Sequence, residues 1–127
     1  MGETAFITVV DEWDKLCLRV QIHHGSDWLE EELRKFGAAC RVGLDRDAPL
    51  PPGVFRANGM DNFAAQLVRH LCNLYADPDG QVDHSVYMAP PGVGELGSGF
   101  YRWQFSAGEP SGPPKFEVLY NWNRNHE

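Results

Sequence analysis

The sequence predicts one α+β domain over residues 1–127: an antiparallel sheet of about five strands with two helices packed on one face, in the order β-β-α-(β)-α-β-β-β. Three observations carry that expectation. Several short segments alternate apolar and polar residues with period two, the pattern of strands with one buried face. Two other segments repeat apolar residues at helical spacing. The chain has 127 residues and 43% hydrophobic content, the usual size of a single domain with enough apolar material to fill one core.

Taken in order, Ala5-Phe6-Ile7-Thr8-Val9-Val10 is rich in β-branched residues and predicts a strand. Residues 16–23 predict a second, with Leu16, Leu18, Val20 and Ile22 on one face and Cys17, Arg19, Gln21 and His23 on the other. Asp11-Glu12-Trp13-Asp14-Lys15 between them has the length of a hairpin loop. A helix is expected over 27–36, where Leu29, Leu33 and Phe36 form an apolar stripe beside Trp28. Ser26 or Asp27 serves as its cap, Asp27 and Glu30 have capping-box spacing, and Gly37 is its stop. Glu30, Glu31 and Glu32 precede Arg34 and Lys35, the order the helix dipole favours.

Residues 38–42 fit a short buried strand, and 43–59, with Pro49, Pro51, Pro52 and Gly53, an irregular stretch. A second helix is predicted over 61–76, capped by Asp61 and striped by Phe63, Leu67, Leu71 and Leu74. Asp77-Pro78-Asp79-Gly80 is a turn in which Pro presets φ and Gly accepts positive φ. Three strands follow. Residues 81–89 alternate Val82, His84, Val86 and Met88 against Asp83, Ser85 and Tyr87. Tyr101, Trp103 and Phe105 share a face of 100–106, and Phe116, Val118, Tyr120 and Trp122 share a side of 115–122. Their links are too short for helical crossovers, so an antiparallel meander is expected.

Charge is the most informative property. The net charge is −7, and residues 1–32 hold eight acids against Lys15 and Arg19, which accounts for six of those seven charges. A field of this sign repels phosphate backbones and argues against direct nucleic-acid binding, while it attracts a basic partner. No apolar stretch approaches the ~20 residues that span a bilayer. The three cysteines, Cys17, Cys40 and Cys72, are odd in number and widely spaced, which points to reduced thiols and the cytoplasm.

Motifs that would carry chemistry fail on context. Gly92-Val93-Gly94-Glu95-Leu96-Gly97 has the letters of a dinucleotide fingerprint, but it leads into a strand pattern where a helix is required. Asp77, Asp79 and Asp83 lack the glycine and glutamate positions of a calcium loop. No histidine pair has zinc spacing, and a site of His23 or His24 with His84 and Asp83 needs their strands to be neighbours. Cys72 and His70 do not face each other on a helix. No catalytic residue, cofactor or metal is therefore expected.

These readings favour a non-catalytic acidic binding protein that neutralises a basic protein partner, a class that includes cytoplasmic inhibitors such as bacterial immunity proteins. The expected contact residues are Asp11, Glu12, Trp13 and Asp14 in the hairpin loop and Asp27, Glu30, Glu31 and Glu32 at the first helix. The alternative is a small enzyme or small-molecule-binding domain with a pocket between sheet and helices, for which His84, Tyr87, Tyr101 and Arg102 are the polar candidates.

Overall fold

The structure is a computed structural model that describes residues 4–83, 85–89 and 101–125. The chain opens with the expected hairpin. Strand β1 (Ala5–Val10) pairs antiparallel with β2 (Leu16–Ile22), Ile7 opposite Val20 and Val9 opposite Leu18. Helix α1 (Asp27–Ala38) follows, then β3 (Cys40–Val42), β4 (Phe55–Ala57) and helix α2 (Gly59–Leu74). Strands β5 (Val86–Met88), β6 (Tyr101–Ser106) and β7 (Lys115–Asn121) and a short helix α3 (Trp122–Asn125) complete the chain. The turn before β5 forms as its residues require: Gly80 takes φ +81°, and Asp77 accepts from the Asp79 and Gln81 amides at 2.9 and 3.0 Å.

The architecture is α+β, but the sheet is mixed and not antiparallel throughout. Its order is β5-β2-β1-β6-β7, and the central pair β1–β6 is parallel, with Ile7 opposite Trp103. The expected meander of the last three strands does not form. β6 and β7 are antiparallel neighbours, whereas β5 pairs with β2 at the far edge. Burial explains the difference. Every core-facing residue of β6, Tyr101, Trp103 and Phe105, is fully buried, so β6 belongs in the sheet's interior. In β5 Tyr87 and Met88 are exposed, and that strand suits an edge. The connection over 89–100 reaches ~40 Å when extended, far more than the three strand spacings it must cross.

Two further expectations change. The stretch 43–59 contains a strand, β4, which pairs in parallel with β3 as a separate two-stranded sheet. A register shift between Arg102 and Trp103 splits the predicted face of β7: Phe116 and Val118 stay against the core, while Tyr120 lies opposite Arg102 on the other side. The Arg102 guanidinium sits 5.4 Å from the Tyr120 ring centre. Trp122 has already left the strand for α3.

Both long helices pack on one face. Leu29 and Leu33 of α1 and Phe63, Leu67 and Leu71 of α2 join Ala5, Ile7, Val9, Val20, Ile22, Trp103 and Phe105 in one buried cluster. A chain of rings ties it together: Phe36 lies 5.7 Å from Phe63, Phe63 lies 4.9 Å from Phe105, and Phe105 lies 5.0 Å from Phe116.

Gly37 does not stop α1, which continues through Ala38. Its small size serves packing, because a Cβ there would lie 2.6 Å from Cε1 of Phe105. Phe105 is fully buried between other rings and has little room to yield. Gly37→Ala is therefore expected to destabilise the fold by about 1–3 kcal/mol despite its better helix propensity. Chemical denaturation at constant m-value measures this, and an unchanged or raised midpoint contradicts the packing argument.

Candidate functional site

The described acidic residues of the first quarter of the chain fall into two groups toward opposite ends of the sheet. Asp27 and Glu30 lie beside the row Ala5–Tyr101–Asn121, where β1 and β6 begin and β7 ends. The hairpin loop 11–15 lies beyond the other end of β1. Six residues of strand separate them by ~20 Å.

The α1 group is largely turned inward. Glu30 is 1% exposed. Its Oε1 accepts from Trp103 Nε1 at 2.8 Å and from Asn121 Nδ2 at 3.1 Å, and its Oε2 pairs with Arg124, with Arg34 3.9 Å away. Such a carboxylate tolerates burial only because both oxygens are satisfied. Asp27 accepts from Asn121 Nδ2 at 2.9 Å and from Asn123 Nδ2 at 3.0 Å. These bonds, Asn121 first and then Asn123, hold its carboxyl below the usual range, with Arg124 adding to them and burial opposing them. Glu31 is exposed and lies 4.0 Å from Arg34. Glu32 is half-buried, and its charge raises the pKa of His70 against the larger lowering effect of burial. Ser26 occupies the N-cap position without a side-chain bond, so the capping-box spacing of Asp27 and Glu30 is used across the fold and not along the helix.

The hairpin group is turned outward. Asp11 builds the loop, accepting from the Trp13 and Lys15 amides at 2.8 and 2.9 Å, and Asp14 takes φ +58°. This geometry carries Trp13 into solvent, 71% exposed, between the exposed Glu12 and Asp14. Two acids not expected from the sequence join this end. Asp61, in the first turn of α2, lies close enough to the Cys17 thiol to raise its pKa, and Glu109 shares a groove of about 330 Å³ with Glu12. The groove is lined further by Val42, Met60, Ala107 and Pro110. The linear sequence marks Asp61 only as a helix cap, a position that Asn58 takes, and Glu109 not at all, because the folding of α2 and the β6–β7 loop against the hairpin creates the cluster. Its field registers on Cys17: burial, then the Asp61 hydrogen bond, then the charges of Asp61, Asp11 and Glu12 push the thiol up to about 12.

Of the four candidates for an alternative pocket, the three described ones, Tyr87, Tyr101 and Arg102, do not come together. Tyr101 is buried in the core, where its hydroxyl accepts from Asn123 Nδ2 at 3.1 Å. Arg102 and Tyr87 point to the opposite face of the sheet, on strands separated by β1 and β2. His84 lies outside the described residues, as do the glycines of 92–97. His23 and Asp83 lie just outside the neighbouring strands β2 and β5, where the His23 amide donates to the Ser85 carbonyl at 2.7 Å. Among the described residues no three His, Cys, Asp or Glu side chains are placed to hold a metal, and no helix is long and apolar enough to cross a membrane.

Two outcomes test this electrostatic picture. Asp27 has a folded pKa below its ordinary 3.8, so its contribution is full above that value and is lost as pH falls through the folded pKa. Melting temperatures from pH 5 down to about pH 2.5 are expected to fall less steeply below the Asp range in Asp27→Asn than in the parent; parallel curves refute the assignment. At pH 8.5, Cys17 is expected to alkylate at least about tenfold more slowly than a free cysteine, and Asp61→Asn to accelerate it. Mass spectrometry of the Cys17 peptide reads the rate, and no acceleration in the variant removes Asp61 from the cluster.

A scan against protein-family models finds no match for this chain, and searches of curated proteins and of solved structures find none either.

Proposed function

We propose that this chain is a non-catalytic binding protein of the inhibitor or immunity type, acting in the cytoplasm, that docks a basic protein through the hairpin end of its sheet. The observation that carries this reading is the solvent-exposed Trp13, held between Glu12 and Asp14 beside a groove that two carboxylates share. Exposed tryptophans anchor interfaces because one ring buries a large area at small entropic cost. The groove combines apolar surface from Val42, Met60 and Pro110 with the charges of Glu12 and Glu109. That combination fits a lysine or arginine side chain, whose aliphatic stem packs while its cationic head pairs. Asp11, Glu12, Asp14, Asp61 and Glu109 have no ion pair among the described residues, so their field is available to a partner.

The docking surface is thus Glu12, Trp13, Asp14, Asp61 and Glu109, with Asp11 shaping it. Glu30 and Asp27 support the fold on this reading and leave the contact set, and Glu31, beside Arg34, and Glu32 do not line the groove. The cytoplasmic placement rests on the free state of Cys17, Cys40 and Cys72.

The triple variant Glu12→Gln/Trp13→Ala/Asp14→Asn tests the reading while leaving Asp11 to close the loop; Asn tolerates the positive φ at position 14. The immobilised parent is expected to retain a basic protein from host lysate at about 0.05 M salt and release it at about 0.5 M. With that protein purified, the variant is expected to associate at least about tenfold more slowly at low salt, with an unchanged melting temperature. Equal association by parent and variant, or retention of the same proteins by both, overturns the proposal.

A further inference from the structure

We propose that the cavity between the loop after β3 and the start of α2 binds a small tetrahedral oxyanion, a phosphate or phosphate monoester. The cavity has a volume of about 450 Å³ and is lined by Arg46, Arg56, Asn58 and Asn62, with Gly43 and Leu44. No carboxylate lines it, in a chain whose net charge is −7.

The groups left over at this site are donors. Arg56 projects from β4 and gives one guanidinium nitrogen to the Ala48 carbonyl, but its buried Nε has no partner. Arg46 is exposed and makes no ion pair or hydrogen bond among the described residues. Asn62 is oriented by two bonds onto its Oδ1, from the Asn58 amide at 2.9 Å and from Gln66 Nε2 at 3.0 Å. Its acceptor is thereby occupied and its Nδ2 is left to donate. Asn58, the N-cap residue of α2, makes no side-chain cap bond, so the first-turn amides also lack a side-chain acceptor.

These donors arrive from a loop, a strand and a helix start. Convergence from three directions suits a tetrahedral anion better than a flat carboxylate, and paired guanidinium groups give charge-assisted bonds to its oxygens. The volume exceeds that of inorganic phosphate alone and leaves room for the organic part of a small ester. The acids next in sequence to its lining residues are not among the residues that line it: Asp45 accepts from the Asp47 amide at 3.0 Å, and the charge of Asp61 acts on Cys17.

The test is a titration of the isotopically labelled protein followed by amide and Arg Nε–H resonances. The probes are inorganic phosphate, glycerol 3-phosphate, acetate and chloride at equal ionic strength. Saturable shifts at residues 46 and 58–62 and at Arg56 Nε–H are expected with both phosphates, and none of that pattern with acetate. Arg46→Gln is expected to weaken binding at least about tenfold. Because Arg46 makes no side-chain bond among the described residues, this variant separates ligand loss from misfolding, and Lys115→Gln, a lysine that pairs with Glu117 and does not line the cavity, is expected to change nothing. Linear shifts without saturation, an equal response to chloride, or unchanged affinity in Arg46→Gln mean an adventitious ion only and overturn the proposal.

Discussion

Much of this fold turns on one buried carboxylate. Glu30 links α1 to β6 through Trp103, to β7 through Asn121, and to α3 through Arg124. Burying a charge costs several kcal/mol, and only a complete set of donors offsets it. Completeness here needs three elements that are ~70–95 residues further along the chain, so the interaction exists only in the finished topology. Asn121 is the pivot. Its amide serves both Glu30 and Asp27, and its own Oδ1 accepts from the Arg124 amide at 3.2 Å, which starts α3 where β7 stops. The helix is thus fixed in rotation by polar bonds at its N-terminal half and by the close approach of Gly37 to Phe105 at the other.

This arrangement also accounts for the mixed sheet. With α1 anchored to the ends of β6 and β7, the strand beside β6 must present a matching buried row, and β1 does so with Ala5, Ile7 and Val9. Both helices lie between β1 and β6 in the chain, which lets the two strands run parallel. β5 arrives with only three residues and an exposed Tyr87 and Met88, and finds its pairing on β2 at the edge.

The sequence was legible wherever structure is local. β-branched content placed β1, period-two alternation placed β2, β6 and β7, helical spacing placed α1 and α2, and Asp77-Pro78-Asp79-Gly80 placed its turn. It was illegible wherever partners are distant. Asp27 and Glu30 carry the spacing of a capping box, and nothing local distinguishes that use from bonds to Asn121 and Trp103. The one-residue shift in β7 that turns Tyr120 to the opposite face leaves no mark on an alternating pattern. β4 has three residues in a Pro- and Gly-rich stretch, too few for periodicity to speak. The candidate site was half visible for the same reason. Trp13 and its flanking acids are contiguous in sequence, whereas Asp61 and Glu109 reach them only through tertiary packing.

Net charge is therefore a poor description of any one surface of this molecule. Of the acids concentrated in the first 32 residues, Glu30 is consumed by the fold and Asp27 is engaged by two amides. What remains outward at the hairpin end is reinforced by acids from elsewhere in the chain, so the negative surface is an assembly of three segments and not a property of the N-terminal quarter. The same folding gathers Arg46 and Arg56 around a cavity free of carboxylates, at the start of the helix whose Asp61 faces the acidic side. Screening over ~8–10 Å at ordinary ionic strength keeps such neighbourhoods electrostatically distinct. A chain that is acidic overall can on that account present one surface suited to cations and one cavity suited to an anion, each decided by which side chains the topology leaves unpaired.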